Sequence, residues 1–371
     1  MQQQKKHIVF FTPTLNKTGS EIVLFHLLPF ALRDFDVTII TKYKGELYNQ
    51  LPAGINKQYL YNKQYGGFFS KLINKLRASF VVPGILKQHH SAVWYINTIM
   101  LGDVLQYAEK NKIKAIVHLH ELQQMYALLS KEDITRLTTY PEAIIANSNA
   151  SAEVIRDYGR TKPIQVIYPS LDLSKVSKPK TNLRSVLEIK ENEIVWLMSG
   201  TLDKNKNPFL FVDIAKALKQ KTNNFKMLWL GAQPDNSSFG EEFKNYIKQQ
   251  NCEDVIVWVS EVGEKYYDYL NCANGFVLTS QFESFSLVTL EALYLGLPVV
   301  ANDCIGVKEI LQDKYGFVVK QKNNADEMAE KMLQYSTGEL KVNKEELKQR
   351  ALEFNIDKIG KDWQQWLKEQ I

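Results

Sequence analysis

The sequence predicts an α/β protein built from two doubly wound, Rossmann-like parallel-sheet domains facing each other across a cleft. Its 371 residues exceed one ordinary domain of about 100–200 residues. Short apolar runs alternate with helical patterns, the order that builds a parallel sheet with helices on both faces. The alternation also comes as two series of similar size, separated by one polar stretch. With 45% hydrophobic and 23% charged residues, the composition supports a sizeable core and no extended disorder.

In the first series the predicted strands are 7–11 (HIVFF), 37–40 (VTII), 92–96 (AVWYI), 115–119 (AIVHL), 143–146 (AIIA) and 164–168 (IQVIY). From Asp172 to Leu183 the chain turns to Ser, Lys, Pro and Asn, which predicts a linker. The second series is 194–199 (IVWLMS), 226–230 (KMLWL), 255–259 (VIVWV), 275–279 (GFVLT), 297–301 (LPVVA) and 316–320 (GFVVK). The expected domains are therefore 1–172 and 184–355. Ile356, Ile359, Trp363 and Trp366 recur at helical spacing, so the tail 356–371 is expected to be a helix packing back on the first domain. Ligands of such sheets bind beyond the carboxyl ends of the strands, which directs attention to the residues after each one.

Several classes are excluded. No apolar run reaches the roughly 20 residues of a membrane span, and the start does not read as a signal peptide, so a cytoplasmic protein is expected. Cys252, Cys272 and Cys304 are scattered and support neither a disulfide framework nor a zinc site. The net charge of +5 is modest but uneven: no acidic residue falls between Glu46 and Asp103, whereas Lys57, Lys63, Lys71, Lys75, Arg77 and Lys87 do. Residues 63–87 interleave these cations with apolar positions 69, 72, 73, 76 and 80 at helical spacing. Such a stretch fits an anionic membrane surface, and it fits a core-facing helix with a solvated basic face equally well. No nucleic-acid partner is expected.

The sharpest chemical signal is SQFESFSLVTLEALYLGLPVVAND, where Glu283 and Glu291 are separated by seven residues. A helix beginning near Ser286 puts Ser284, Phe285, Ser286 and Leu287 at its N-terminus, where free N–H groups and the helix dipole favour a phosphate. In isolation, two glutamates at this spacing are more often a cap and a surface residue. Their surroundings change that. The run ESFSLVTLEALYLGLPV resembles the donor-binding motif of retaining glycosyltransferase family 4, E-G-F-G-L-x-x-x-E-A-x-x-x-G-x-P-V, with Ser284 and Ser286 in place of two glycines.

The resemblance continues along nearly the whole chain. SGTLDKNKNP is similar to the family's G-R-L-x-x-x-K-N element, with Gly200 and Lys206 in register and Thr201 at the arginine position. LWLGAQPD, containing Gly231, resembles the L-V-G-x-G-P loop. The backbone of Ser260, Glu261 and Val262 matches the nucleobase-contacting loop, and Gly306 with Glu309 a Gly-rich turn followed by Glu. In the first domain Thr18, Gly19 and Ser20 resemble the G-G-A-E turn near the donor diphosphate, and His120 the strand-end histidine that hydrogen-bonds the transferred sugar. His118 reads as structural. IIANSNASAEVI and VIYPSLD resemble two further family elements, with Ser170 replacing the usual glycine and Asp172 marking the hinge.

The resemblance implies a GT-B fold and a donor-bound reaction in which His120, Glu283 and Lys206 are the catalytic residues. Glu283 would hold sugar hydroxyls, Glu291 the ribose, and Lys206 the diphosphate. It implies sugar transfer with retention from a UDP- or GDP-type donor to a glycan or lipid-linked acceptor, with no cofactor and no metal. Cell-envelope polysaccharide synthesis would be the setting. Two alternatives stay open: a GT-B nucleotide-sugar 2-epimerase, and a degenerate partner subunit, the latter prompted by Thr201 and the replaced glycines.

Overall fold

The computed structural model describes residues 5–61, 73–176, 179–234 and 237–371. The chain divides into two compact units, one formed by Met1–Ser170 with Ile356–Ile371, the other by Leu171–Asn355.

The first unit carries a seven-stranded sheet in the order β3-β2-β1-β4-β5-β6-β7, with every neighbouring pair parallel. Its strands are β1 (Lys6–Thr12), β2 (Phe35–Thr41), β3 (Ile55–Tyr59), β4 (Val93–Ile96), β5 (Ala115–Leu119), β6 (Ala143–Ala146) and β7 (Ile164–Val166). The central strands were legible because both faces are covered. Ile8, Val9 and Phe10 are all fully buried, so the run is continuously apolar rather than alternating. Strand β3, INKQY, went unpredicted. It lies at the sheet edge with Asn56 and Lys57 exposed, and has no need of an apolar run.

Helix Ile356–Gln370 closes this unit against helix Gly19–Asp34. The buried seam is Ile359, Trp363 and Leu367, at i, i+4 and i+8; Trp366 is only partly covered. Gly360 is required at the crossing, since a Cβ there would stand 2.3 Å from the Phe30 ring. Lys368 pairs with Asp34 at 3.0 Å, and Trp363 Nε1 donates to the Tyr95 hydroxyl at 3.1 Å.

Of the basic amphipathic stretch, Lys63, Tyr65, Phe68, Phe69, Lys71 and Leu72 lie outside the described residues. The described part is helical and contains a π-turn at Arg77–Val81. Arg77 does not present its charge outward. Its guanidinium donates to the carbonyls of Leu60 (2.7 Å) and Tyr59 (2.9 Å), tying the helix to the edge strand. Ile73, Leu76 and Val81 are exposed on the same segment, and Leu86 is buried.

The second unit carries a six-stranded parallel sheet in the order β10-β9-β8-β11-β12-β13. These strands are β8 (Ile194–Ser199), β9 (Phe225–Leu230), β10 (Ile256–Val259), β11 (Gly275–Leu278), β12 (Val299–Ala301) and β13 (Phe317–Val318). Strand β12 starts two residues later than its apolar run because Pro298 has no N–H to give; its carbonyl still accepts from Phe276 N at 2.9 Å. Trp196, Trp229, Phe211 and Phe243 fill the core. The polar stretch after Asp172 is not a free linker. Leu171 N bonds the Phe354 carbonyl at 2.8 Å and Lys180 N the Asp268 carboxylate at 2.8 Å, so its described residues belong to this unit. No helix among the described residues is long and apolar enough to cross a membrane.

Candidate functional site

In each sheet the strand order reverses direction once, between β1 and β4 in the first unit and between β8 and β11 in the second. Loops diverge at such a point and leave a crevice beyond the carboxyl ends of the strands. The residues singled out from sequence fall largely there.

In the second unit, the loop after β8 begins at Gly200. The Lys206 stem lies against Gly200, whose added Cβ would sit 3.1 Å from three of its carbons. Gly231, after β9, adopts φ 143°, and a Cβ on it would meet the Gly200 carbonyl oxygen at 2.2 Å. Only glycine allows that approach. The lysine is further fixed by its own backbone: its N–H donates to Asp203 Oδ1 (3.0 Å) and its carbonyl accepts from Thr279 Oγ1 (2.6 Å). Thr201 and Lys204 are exposed.

The loop after β11 brings Glu283 to this lysine, with Lys206 Nζ donating to Glu283 Oε1 at 2.5 Å. Both side chains are largely covered, at 22% and 12% exposure, so the pair is poorly screened by solvent. Burial alone would lower the Lys206 pKa, but the adjacent carboxylate outweighs it and holds the ammonium above the ordinary lysine value. An ammonium has three donors, and Glu283 accepts one. Gly306 lets the loop come close, with its N–H donating to the Glu283 carbonyl at 2.9 Å; a Cβ there would lie 2.3 Å from the Ser284 oxygen.

Helix Leu287–Tyr294 follows, with Ser286 as its N-cap residue. The buried Ser286 hydroxyl makes no capping bond; it accepts from Thr289 Oγ1 at 2.8 Å. Phe285 is buried against Phe354, with centroids 5.4 Å apart, and anchors the turn from below. Glu291, on this helix, accepts from two tyrosines of helix Tyr266–Cys272: Tyr266 at 2.6 Å on one carboxylate oxygen and Tyr267 at 2.7 Å on the other. Burial first, and then this carboxylate, push both phenols above their usual pKa and keep them donors. Ser260, Glu261 and Val262 form the loop between β10 and that helix, Ser260 and Glu261 exposed.

In the first unit three strand ends are tied together by side chains. After β1, the buried Glu21 accepts from Thr14 N (3.1 Å), Asn16 N (3.0 Å) and Thr18 Oγ1 (2.6 Å), and also from the Thr14 hydroxyl. It therefore shapes the turn that presents Gly19 and Ser20. Gly19 is exposed, its backbone is not left-handed, and nothing lies within 4 Å of its absent Cβ, so its own conformation does not demand glycine. After β4, the fully buried Asn97 donates to the Ser20 carbonyl (3.1 Å), and its Oδ1 meets His120 Nε2 at 2.9 Å. Thr98, at φ 153°, donates to Glu121.

His118, on β5, and His120, just beyond its end, point the same way, as strand alternation predicts, with ring centroids 4.0 Å apart. His118 is buried and its Nδ1 pairs with the Tyr95 hydroxyl at 2.8 Å. The same hydroxyl accepts from Trp363 Nε1 at 3.1 Å. Burial pushes His120 down to about 3 and holds His118 well below the ordinary histidine value, so both rings are neutral at physiological pH.

Sequence reasoning missed Glu21, Asn97, Tyr266 and Tyr267. Glu21 fills the last position of the G-G-A-E-like turn and was available to find. The other three reach their partners only through the sheet topology. A D-x-D triplet, Asp34-Phe35-Asp36, stands at the start of β2, the end away from these loops, where Asp34 pairs with Lys368.

Comparison with known proteins agrees with this geometry. The family model described as Glycosyl transferases group 1 matches residues 179–353, and that described as Glycosyltransferase Family 4 matches residues 18–175. The chain is 23% identical over 368 residues, 96% of each protein, to a Campylobacter jejuni enzyme. That enzyme is named GalNAc-alpha-(1->4)-GalNAc-alpha-(1->3)-diNAcBac-PP-undecaprenol alpha-1,4-N-acetyl-D-galactosaminyltransferase. An uncharacterized glycosyltransferase of Haemophilus influenzae is 26% identical over 202 residues, a match spanning 52% of this chain and 54% of that protein. Among solved structures, Anabaena Alr3699/HepE in complex with UDP and glucose superposes with a TM-score of 0.80 at 19% identity, covering 98% of this chain and 99% of that one. The fold is thus GT-B, and the chain belongs to the group 1 glycosyltransferases of the family 4 type.

Proposed function

We propose that this glycosyltransferase moves a sugar, with retention and without a metal, from a nucleoside diphosphate sugar to a hydroxyl of a glycan or lipid-linked glycan in cell-envelope polysaccharide synthesis. The carrying observation is the Lys206–Glu283 pair, seated on Gly200 at the β8/β11 switch point, with Glu291 on the helix that follows. In this reading Lys206 gives its remaining N–H donors to the diphosphate, and the N-terminus of helix Leu287–Tyr294 adds its dipole. Together they stabilise the charge that builds on the leaving group. Glu283 holds sugar hydroxyls, and Glu291, oriented by Tyr266 and Tyr267, accepts from the ribose. His120 and the Gly19–Ser20 turn are the first unit's candidate site residues. The departing phosphate takes the acceptor proton on the same face of the sugar.

The Anabaena complex with UDP and glucose supports a UDP-type donor, with GDP the competing base. The Campylobacter relative, whose name specifies an undecaprenol diphosphate acceptor, supports a lipid-linked one. A peripheral position on the inner face of the cell membrane follows if residues 63–87 touch anionic lipid, which exposed Ile73, Leu76 and Lys75 favour. Charge removal at Lys71 and Lys75 should then weaken binding to anionic liposomes. Arg77 is unsuited to that test because it holds Tyr59 and Leu60.

The function is tested by incubating the protein with sugar nucleotides and lipid-linked glycans in EDTA and reading the product's anomeric configuration by NMR. The expected product keeps the donor's configuration. An inverted product, or turnover that stops in EDTA, would refute the mechanism.

A further inference from the structure

We propose that Asn97 fixes His120 as the Nε2–H tautomer, so that this ring meets a bound sugar through Nδ1, as the acceptor of a hydroxyl's hydrogen bond. The role toward the sugar rests on the transferase reading above; the tautomer rests on the amide geometry alone.

The Asn97 side chain is fully buried and has one workable orientation. Its Nδ2 donates to the Ser20 carbonyl at 3.1 Å. A carbonyl only accepts, so turning the amide over would set two oxygens against each other in a buried place, at a cost of a lost bond and an unsatisfied acceptor. The amide oxygen must therefore face the ring, where it lies 2.9 Å from His120 Nε2. That contact is a hydrogen bond only if Nε2 carries the proton.

The ring's other neighbours keep it neutral. His118 lies tilted beside it with centroids 4.0 Å apart, its Nδ1 paired with the Tyr95 hydroxyl, and burial leaves that ring neutral as well. The Glu121 carboxylate accepts from the His120 backbone N–H at 2.9 Å and from Thr98, so its contacts run to backbone and hydroxyl rather than to the ring. A neutral imidazole protonated at Nε2 has a lone pair at Nδ1. It cannot donate there, so a phosphate oxygen gains nothing from it, whereas a hydroxyl can donate to it. The same amide holds the Ser20 carbonyl, so one side chain sets both the polarity of His120 and the place of the turn that presents Gly19.

Asn97 is thus a positioning residue, and imidazole nitrogen chemistry reports on it directly. In protein labelled with ¹⁵N-histidine, with His120 assigned through His120→Gln, the wild type should show a protonated Nε2 and an unprotonated Nδ1. Asn97→Asp keeps the shape and still accepts from Nε2 but cannot donate to Ser20. Its charge should draw a second proton onto the ring near neutral pH, read at Nδ1. Asn97→Ala should show both tautomers. A wild-type ring protonated at Nδ1, or His120 signals unchanged in both variants, would overturn the assignment. With a donor that supports turnover, Asn97→Asp should transfer at least about tenfold more slowly while UDP affinity stays within about twofold; full-speed transfer would remove the role toward the sugar. If no donor turns over although the wild-type tautomer is as stated, the transferase reading fails and the Asn97 assignment stands.

Discussion

Lys206 and Glu283 form an ion pair that is largely covered from solvent. An ammonium and a carboxylate this covered are costly to desolvate, and removing either strands the other. Lys206→Ala should lower turnover roughly 100- to 1,000-fold, the cost of losing one positioned donor to developing charge. Glu283→Gln removes the counter-charge while keeping the shape, and should raise the Michaelis constant for the donor. Steady-state kinetics check both. His118 and His120 make a separate prediction about pH. Their folded pKa values lie below the unfolded value of about 6.5, so the unfolded chain takes up protons first. Stability is therefore full above about 6.5 and falls as the pH drops toward 3. Between pH 7.5 and 5 His120 should cost up to about 2 kcal/mol. Urea unfolding at the two pH values reads this, and His120→Gln should flatten it; equal midpoints would contradict it.

At the scale of elements, glycines decide how closely the loops of the second unit approach. Gly231→Ala would drive a Cβ into the Gly200 carbonyl from a left-handed backbone and should destabilise by on the order of 3 kcal/mol. In the first unit, Trp363→Ala should cost about 3–5 kcal/mol by emptying the seam under helix Ile356–Gln370. Trp363→Phe, which keeps most of the volume, isolates the bond to Tyr95. Denaturant titrations separate these cases. Elements were legible in the sequence where burial forces a continuous apolar run, as in IVWLMS of β8. They were illegible where one side faces solvent, as in INKQY of β3. The site divides likewise. Glu283, Glu291 and Lys206 sit in local patterns with fixed spacing. Asn97 meets His120 across 23 residues and Ser20 across 77, a proximity that only the strand order creates.

At the scale of the molecule, the first unit needs both ends of the chain, whereas the second is one continuous segment, Leu171–Asn355, with its own sheet and core. Residues 171–355 expressed alone should therefore fold cooperatively and keep whatever nucleotide affinity the whole chain has. On the proposed function, this segment grips a nucleoside diphosphate through Lys206 and Glu291. A thermal-shift titration of the full chain against UDP, GDP, ADP and CMP, repeated with Glu291→Ala, reads this grip. A ligand at about 100 times its dissociation constant adds about 2.7 kcal/mol of stability. The expected result is a shift selective for UDP or GDP that the variant loses; no shift with any nucleotide, or a shift the variant retains in full, overturns this role for the segment.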